Sequence, residues 1–386
     1  MTVRTAADRQ LTVAVFTPWY PEPERPWDGT FVANQCDALR DLGVRIRVFK
    51  LTRDGLTARM HEIDPADRTA VPHTRRRILG AHHLASLVHG GRLWSAPVDA
   101  VLAEGVWASS LLRRVVAPMV VVVLHGRAPM TASGARTDPV RRSIIAGSLR
   151  RAKALVAVGP DIVDDLPPEL RTGCHVVPNG VLLDAFAPRA GSASQRLDAD
   201  DFPRFVTVGN VDTNKNQETL LRAFAAIRDR WPAASWWVVG DGPERHRLEG
   251  LRDQLGHGDR IHFTGRVAPA EVAKVLGESD LFVLPSRTEA FGCVYLEAMA
   301  VGVPTLVSRS AGLAALIDDD RYLHDPDDSR QLLAKADAIL STPAQYEQAV
   351  AFGHALAEGC TWQAHAESLV DVLTHSVLNK KAVTAS

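Results

Sequence analysis

Two glutamates, Glu289 and Glu297, stand eight positions apart in the stretch SRTEAFGCVYLEAMAVGVPTLVS, residues 286–308. An Ala-Phe-Gly turn and the start of an apolar run separate them. The pattern predicts one carboxylate before a helix and the other about two turns later. A carboxylate accepts hydrogen bonds at two oxygens, so each glutamate can hold a pair of neighbouring hydroxyls. The same spacing also fits two glutamates without a ligand, one placed at the start of a helix and the other on its solvated face. The surrounding elements distinguish between these two interpretations.

Three predicted strand ends in the second half carry features suited to an anionic ligand. VGNVDTNKN (208–216) places Lys215 in a loop before a helix, and VVGDGPE (238–244) carries Gly240 and Gly242, where backbone can approach a ligand closely. PSRTEAFG opens a helix whose first N–H groups favour an anion. Because ligands of open α/β sheets bind outside the carboxyl ends of the strands, these loops predict one shared site. A diphosphate at the helix start, flanked by a sugar diol and a ribose diol, would use both glutamates and Lys215.

The elements that position these residues alternate between short apolar runs and helical stretches in both halves of the chain. Predicted strands of the first half cover 11–16, 44–51, 98–105, 119–126, 154–159 and 174–181, with a helix at 31–43. Residues 187–203 lack periodicity and are predicted to be a linker, after which the alternation restarts. This order favours parallel sheets with helices on both faces. We therefore expect an α/β protein of two Rossmann-like domains facing across a cleft.

Length and composition fit that expectation. A chain of 386 residues suits two domains, and it contains no apolar run of 18 residues. The four cysteines are far apart and form no metal-binding pattern, which predicts reduced thiols in a cytoplasmic protein. Residues 1–190 carry 25 Lys and Arg against 18 Asp and Glu, whereas the remainder carries 19 against 27. Either the first half meets an anionic partner or the two halves attract each other.

The motifs closely resemble the signature of glycosyltransferase family 4, the retaining enzymes with the two-domain GT-B fold. Besides the opening stretch, the resemblance covers residues 11–375 and rests on TPWYPEPERPWDGTFVANQCDALRDLG, VVLHG, HVVPNGV, VGNVDTNKNQETLLRAFAAI, VVGDGPERHRLE, IHFTGRV and TWQAHAESLVDVL in the expected order. It implies an acceptor-binding domain at 1–190 and a nucleotide-sugar-binding domain at 191–355. It also implies that residues 356–386 form a helix that crosses back to the N-terminal domain.

The resemblance implies a donor-binding set in the loops at the strand ends, comprising Gly29, Asn210, Lys215, Gly240, Gly242, Arg266, Val267, Glu289, Ala290, Phe291, Gly292 and Glu297. Within this set, Glu289 and the backbone that follows it would hold the donor sugar, and Glu297 would hold the ribose. Lys215 would neutralise the diphosphate and Gly29 would close over the phosphates. The backbone around 266–267 would contact the base.

The implied catalytic residues are His125, Glu289 and Lys215, with His125 beside the reacting sugar. Trp19, Trp27 and Arg127 are candidates for acceptor binding. No metal cofactor is expected, because a lysine and a helix N-terminus take the place of a cation. A lone histidine at a strand end also fits a structural role, and the two tryptophans also fit packing.

Asn210 departs from the family pattern, which has Gly-Arg where this chain has Gly209-Asn210. The missing arginine would be a second diphosphate-binding cation, and a hydrogen bond to a charged group is worth roughly 1.5–3 kcal/mol. Three explanations of this departure are open. Another arginine takes the place of the missing one, the donor is unusual, or the diphosphate site is weakened.

The expected function is transfer of a sugar from a nucleotide diphosphate donor to an acceptor hydroxyl in polysaccharide, glycolipid or other glycoconjugate biosynthesis. The alternatives are a natural-product glycosyltransferase and a catalytically weak nucleotide-sugar-binding protein. The acceptor is expected to be lipid-linked, phosphate-bearing or small. Peripheral contact with the inner face of a membrane is a further expectation from the basic first half. No nucleic-acid partner is expected.

Overall fold

The computed structural model describes residues 10–54, 57–64, 68–69, 76–78, 98–111, 119–126, 139–189 and 191–383. Its strands are β1 (Thr12–Thr17), β2 (Arg45–Asp54), β3 (Thr57–Ile63), β4 (Arg76–Ile78), β5 (Ala100–Glu104), β6 (Val120–Leu124), β7 (Ala154–Ala157), β8 (Cys174–Val176), β9 (Arg204–Val208), β10 (Ser235–Val239), β11 (Ile261–Gly265), β12 (Leu281–Val283), β13 (Thr305–Ser308) and β14 (Leu323–His324). These strands form two separate sheets.

The helices are α1 (Thr30–Asp41), α2 (Gly105–Leu111), α3 (Pro139–Leu149), α4 (Pro160–Asp164), α5 (Pro168–Arg171), α6 (Ala193–Leu197), α7 (Gln217–Arg230), α8 (Arg245–Gln254), α9 (Pro269–Gly277), α10 (Cys293–Val301), α11 (Ser329–Leu340), α12 (Pro343–Gly359) and α13 (Trp362–Val383). Short 3-10 turns lie at Leu183–Phe186, Gly312–Leu316 and Asp320–Tyr322. None of the helices in the described part of the chain combines the length and apolar character that a membrane crossing requires.

The chain divides into two compact units. The first unit comprises Met1–Asn179 and Trp362–Ser386, and the second comprises Gly180–Thr361. Helix α13 therefore packs in the first unit, mainly beside α1. This confirms the expected return of the C-terminal helix to the N-terminal part. The expected domain limits at residues 190 and 355 stay predictions.

The second unit holds a parallel sheet of order β11-β10-β9-β12-β13-β14. Chain order reverses between β9 and β12, so the loops that follow these two strands meet at the carboxyl edge. The first sheet has the order β4-β3-β2-β1-β5-β6-β7-β8, with the corresponding reversal between β1 and β5. The Rossmann-like α/β architecture of both units is thus confirmed.

The central strands β1, β5, β6 and β7 are buried along nearly their whole length, and their sequences are correspondingly almost continuous apolar runs. In β6, positions 121–124 have no exposed surface, and Trp236 of β10 is also fully buried. Burying side chains of this size stabilises the fold by about 1.5–3 kcal/mol each.

Two segments differ from the sequence expectations. Strands β3 and β4 extend the first sheet in antiparallel pairing, in a charged region where the sequence analysis predicts no strand. The predicted linker 187–203 contains α6, whose N-terminal Ser192 accepts a hydrogen bond from the Gln195 amide in a capping box. Arg196 of this helix binds the buried Asp280 through two hydrogen bonds of 2.7 and 2.8 Å. This ion pair, invisible in the sequence, orders the segment.

Candidate active site

The loops after β9 and β12 are held together at the reversal point of the second sheet. Asp212 accepts hydrogen bonds from the amides of Asn214 (3.0 Å) and Lys215 (2.9 Å), which fixes the turn before α7. The Asn214 side chain in turn donates to the carbonyl oxygen of Thr288 at 2.8 Å. These contacts set the positions of Lys215 and Glu289, one on each loop.

Lys215 and Glu289 form a direct ion pair between Nζ and Oε2. Their side chains are 16% and 18% exposed, so both remain within reach of a ligand. The Glu289 backbone is fixed as well, because its amide donates to Ser310 at 3.1 Å and its carbonyl accepts from Gly312 at 3.1 Å. The two residues that the sequence assigns to the sugar and the diphosphate are therefore adjacent. A bound diphosphate would compete with Glu289 for the lysine.

Helix α10 begins directly after Gly292, whose φ is +96°. A Cβ at this position would lie 2.5 Å from the Tyr295 ring, so glycine is required. The Tyr295 hydroxyl donates to the carbonyl of Leu284 at 2.6 Å, and Phe291 is 2% exposed. Ala290 is half-buried between Glu289 and these residues. Packing thus fixes the helix start that the sequence predicts as an anion site.

Glu297 lies one turn into α10 and is half-buried. It has no hydrogen-bonding partner among the described residues, and desolvation raises its pKa to about 7. An ionised carboxylate here gains from two hydroxyl donors, which is what a ribose offers.

Gly240 and Gly242 have a clear packing role. A Cβ on Gly240 would lie 1.8 Å from the carbonyl oxygen of Gly209, and a Cβ on Gly242 would lie 2.3 Å from that of Val211. Their missing side chains let the loops after β9 and β10 pack against each other. Close approach of a ligand to these two glycines stays a prediction.

The position of the missing arginine is exposed. Asn210 presents its side chain to solvent, while its carbonyl accepts a hydrogen bond of 2.7 Å from Gln217. Arg287, two positions before Glu289, is engaged with Asp327 at 2.8 Å and with the carbonyl of Thr213 at 2.9 Å. Its guanidinium is thus already neutralised by a carboxylate.

The residues expected at the nucleotide base follow β11. Arg266 is exposed and Val267 is half-buried. Their contact with a base stays a prediction.

In the first unit, His125 follows β6 and contacts Glu104 at the end of β5, with 2.5 Å between Nε2 and Oε2. Because a carboxylate accepts, Nε2 carries the proton, and Nδ1 of the neutral ring is then an acceptor. This Nδ1 atom is buried and has no partner in the part of the chain that the structure describes.

Glu104 belongs to a buried polar chain. Its other oxygen contacts the side-chain amide of Gln35 at 2.7 Å, and Gln35 contacts Nε2 of His365 at 3.0 Å. The Nδ1 atom of His365 lies 2.8 Å from the carbonyl of Pro178, which can only accept. Desolvation lowers the pKa of His365 to about 4. His365 of helix α13 thus lies against the side chain of Gln35, which in turn donates to Glu104.

Sequence reasoning missed Glu104, Gln35 and His365. Glu104 gave the one available signal, an acidic residue at the end of the apolar run VLAE. Gln35 and His365 lie on helices 330 positions apart, and no local pattern connects them.

The Gly29 loop packs against Trp19. Gly29 has φ +70°, and a Cβ there would lie 2.4 Å from the Trp19 carbonyl carbon. The Trp19 ring lies 6.1 Å from the His125 ring and is 36% exposed; Trp27 is 43% exposed. The structure therefore brings Trp19 to His125, and the part of Trp27 in acceptor binding stays a prediction. Arg127 lies outside the described residues.

Comparisons with known proteins agree with this architecture. Residues 192–355 match the family model described as glycosyl transferases group 1. The chain is 29% identical over 315 residues to a GDP-mannose-dependent alpha-(1-6)-phosphatidylinositol monomannoside mannosyltransferase of Mycobacterium tuberculosis, covering 78% of this chain and 71% of that protein. It is 32% identical over 215 residues to a D-inositol 3-phosphate glycosyltransferase of Corynebacterium jeikeium, covering half of each protein. The sucrose-phosphate synthase of Thermosynechococcus elongatus superposes with a TM-score of 0.73 at 22% identity, over 98% of this chain and 100% of that one. The fold is GT-B.

Proposed function

The chain is a glycosyltransferase of the glycosyl transferases group 1 family, and from that premise we propose that it transfers a hexose with retention of anomeric configuration. The donor is a nucleotide diphosphate hexose and the acceptor is a hydroxyl of a glycolipid or polysaccharide precursor. The single observation that carries the proposal is the convergence of Lys215 and Glu289 beside the start of α10.

The reaction places negative charge on the leaving diphosphate. A bond forms between the acceptor oxygen and the anomeric carbon, the bond from that carbon to the diphosphate oxygen breaks, and the acceptor proton passes to a leaving phosphate oxygen. Lys215 and the first amides of α10 stabilise the charge on the diphosphate. When the diphosphate takes the lysine, Glu289 is released to accept hydrogen bonds from sugar hydroxyls.

Glu297 accepts hydrogen bonds from the ribose hydroxyls of the donor. In the first unit, Nδ1 of His125 can accept a hydrogen bond from a substrate hydroxyl, because Glu104 holds the proton on Nε2. No metal ion takes part in this scheme, since the lysine and the helix start carry the charge. Chelation with EDTA should leave the rate unchanged.

A panel of GDP-, UDP-, dTDP- and ADP-hexoses tests the proposal. We expect release of nucleotide from one donor, with GDP-mannose the first choice because the mycobacterial relative is named for it. Lys215→Ala should abolish release, whereas Lys274→Ala, an exposed lysine on α9, should not. The anomeric proton coupling of the product reports retention. Failure to turn over any donor, or an inverted product, contradicts the proposal.

We further propose a lipid-linked acceptor and peripheral contact with the inner face of a membrane. The excess of basic residues in positions 1–190 supports it, as does the lipid named for the mycobacterial relative. Sedimentation with phosphatidylcholine vesicles, with and without phosphatidylinositol, tests it. We expect binding to the anionic vesicles only, with loss at high salt, and equal binding to both would contradict the proposal.

A further inference from the structure

A buried chain of polar groups in the first unit runs from helix α13 to His125. Its four contacts join the Pro178 carbonyl oxygen to Nδ1 of His365 (2.8 Å), Nε2 of His365 to Oε1 of Gln35 (3.0 Å), Nε2 of Gln35 to Oε1 of Glu104 (2.7 Å), and Oε2 of Glu104 to Nε2 of His125 (2.5 Å). Gln35 and Glu104 have no exposed surface, and His365 is 2% exposed. Each contact therefore needs a hydrogen atom, because two buried acceptors that face each other are left unsatisfied.

Neutral histidines and an ionised glutamate supply three hydrogens for these four contacts. A neutral imidazole donates through one nitrogen, so each histidine gives one hydrogen. Gln35 faces one neighbour with its amide nitrogen and the other with its oxygen, so it also gives one. An ionised carboxylate gives none. One contact is then left with two acceptors.

A change of tautomer or of amide orientation moves this deficit without removing it. When Nδ1 of His365 donates to the Pro178 carbonyl, Nε2 is an acceptor that faces the Gln35 oxygen. When Nε2 carries the hydrogen instead, Nδ1 and the Pro178 oxygen are the two facing acceptors. Turning the Gln35 amide satisfies His365 but places the Gln35 oxygen against Glu104. A fourth hydrogen completes the chain in two ways, as a second proton on His365 or as a proton on Glu104.

The charge of the chain leads to the same result. Without a fourth hydrogen the chain carries one negative charge on Glu104, and no lysine or arginine among the described residues forms an ion pair with that carboxylate. An isolated buried charge is costly. Cys36 of α1 also lies near Glu104, but burial raises the pKa of its thiol and keeps it neutral. The titratable groups that face His365 are His125 and Glu104.

We propose that this chain holds one additional proton at neutral pH, on His365 or on Glu104, and that His365 and Gln35 are thereby positioning residues for His125. The proton offsets the charge of Glu104, so the carboxyl group orients the His125 ring without drawing a second proton onto it. His125 then stays neutral, with Nδ1 as an acceptor for a substrate hydroxyl. The positioning role rests on the proposed function, whereas the proton count does not.

Magnetic resonance of the full-length wild-type protein at pH 7 tests the proton count directly. A 15N-histidine label reports whether both ring nitrogens of His365 carry hydrogen, and a 13C-glutamate label reports whether the Glu104 carboxyl group is protonated. We expect one of two signatures. An imidazolium at His365 fits the Gln35 orientation described above, and a protonated Glu104 with a turned Gln35 amide fits the burial that lowers the pKa of His365. A neutral His365 together with an ionised Glu104 overturns the proposal.

The unfolding equilibrium measures the same proton independently. In an unfolded chain a histidine loses its proton near pH 6.5 and a glutamate well below that, so above this pH the folded state holds one proton more. Rising pH therefore favours unfolding, by a factor of about ten per pH unit for one proton. A glutamine in place of Glu104 brings an N–H of its own and no charge, so the variant Glu104→Gln needs no additional proton.

Urea unfolding at pH 7 and 8 compares the two proteins. We expect the unfolding equilibrium constant of the wild type to rise by up to about tenfold more than that of Glu104→Gln over this interval. Glu169→Gln, which removes an exposed carboxylate, should follow the wild type. Equal pH dependence of the wild type and Glu104→Gln overturns the proposal, and the wild-type spectra decide if the variant does not fold.

Gln35→Met tests the positioning role, because it separates His365 from Glu104 and nearly conserves side-chain volume. Glu104 should then draw a second proton onto His125. We expect the acid limb of the pH profile for donor turnover to move to higher pH, together with the 15N shifts of His125. Gln363→Met, at an exposed position of α13, is the control and should change neither.

An unchanged pH profile in folded Gln35→Met overturns the positioning role. The proposed function fails separately, if the wild type turns over no donor, and the spectra of His365 and Glu104 still decide the proton count in that case.

Discussion

Nε2 of His125 lies 2.5 Å from Oε2 of Glu104, a carboxylate without exposed surface. The contact fixes the ring orientation and the position of the proton, and it leaves Nδ1 as the acceptor. Glu104 thus orients the His125 ring, and it accepts a further hydrogen bond from the side-chain amide of Gln35.

Replacement of Glu104 by Gln should release the His125 proton from its fixed position. We expect kcat to fall by about tenfold to a hundredfold with a smaller change in the KM for the donor, the range known for replacing the hydrogen-bonding partner of a metal-ligating histidine. The 15N shifts of His125 should change at the same time, which a purely structural loss would not cause in a folded protein. Glu169→Gln on the exposed end of α5 is the control, and an unchanged imidazole spectrum would contradict the assignment.

Glu297 should make donor binding depend on pH. Its pKa is raised to about 7 by desolvation, and the ionised form accepts hydrogen bonds from two hydroxyls more strongly than the neutral form does. The KM for the donor should therefore fall as pH rises from 6 to 8. A flat KM profile in this range would argue against ribose binding by Glu297.

Glu297 should also lower the free energy of unfolding at high pH. Because its folded pKa lies above its unfolded value, the folded state binds more protons between these values, and the free energy of unfolding falls as pH rises towards 7. Glu297→Gln should thus raise stability at pH 8 relative to the wild type, by on the order of 2 kcal/mol, and much less at pH 5. Urea unfolding at both pH values measures this, and an equal effect at both would refute it.

Asn210→Arg should supply the second phosphate-binding cation. We expect the KM for the donor to fall by roughly tenfold to a hundredfold. Thr213→Arg adds the same charge to an exposed position of the same loop and should have a much smaller effect. Equal effects of the two variants would indicate general electrostatic attraction in place of a specific contact.

Gly240→Ala should destabilise the second unit, because its Cβ would overlap the Gly209 carbonyl oxygen 1.8 Å away. We expect a loss of about 2–4 kcal/mol in the free energy of unfolding. Gly250→Ala, within α8 and with nothing within 4 Å of the added Cβ, should instead gain about 0.5–1 kcal/mol. Urea unfolding compares the two, and similar stabilities would contradict the packing role.

The sequence alone determined the two α/β units and the strand ends at which Lys215, Glu289 and His125 stand. It could do so because hydrophobic periodicity and turn residues are local signals. Only the tertiary structure decided that Lys215 pairs with Glu289 across 74 positions and that Gln35 meets His365 across 330. These relationships depend on strand order and helix packing, which bring together residues that no local pattern connects.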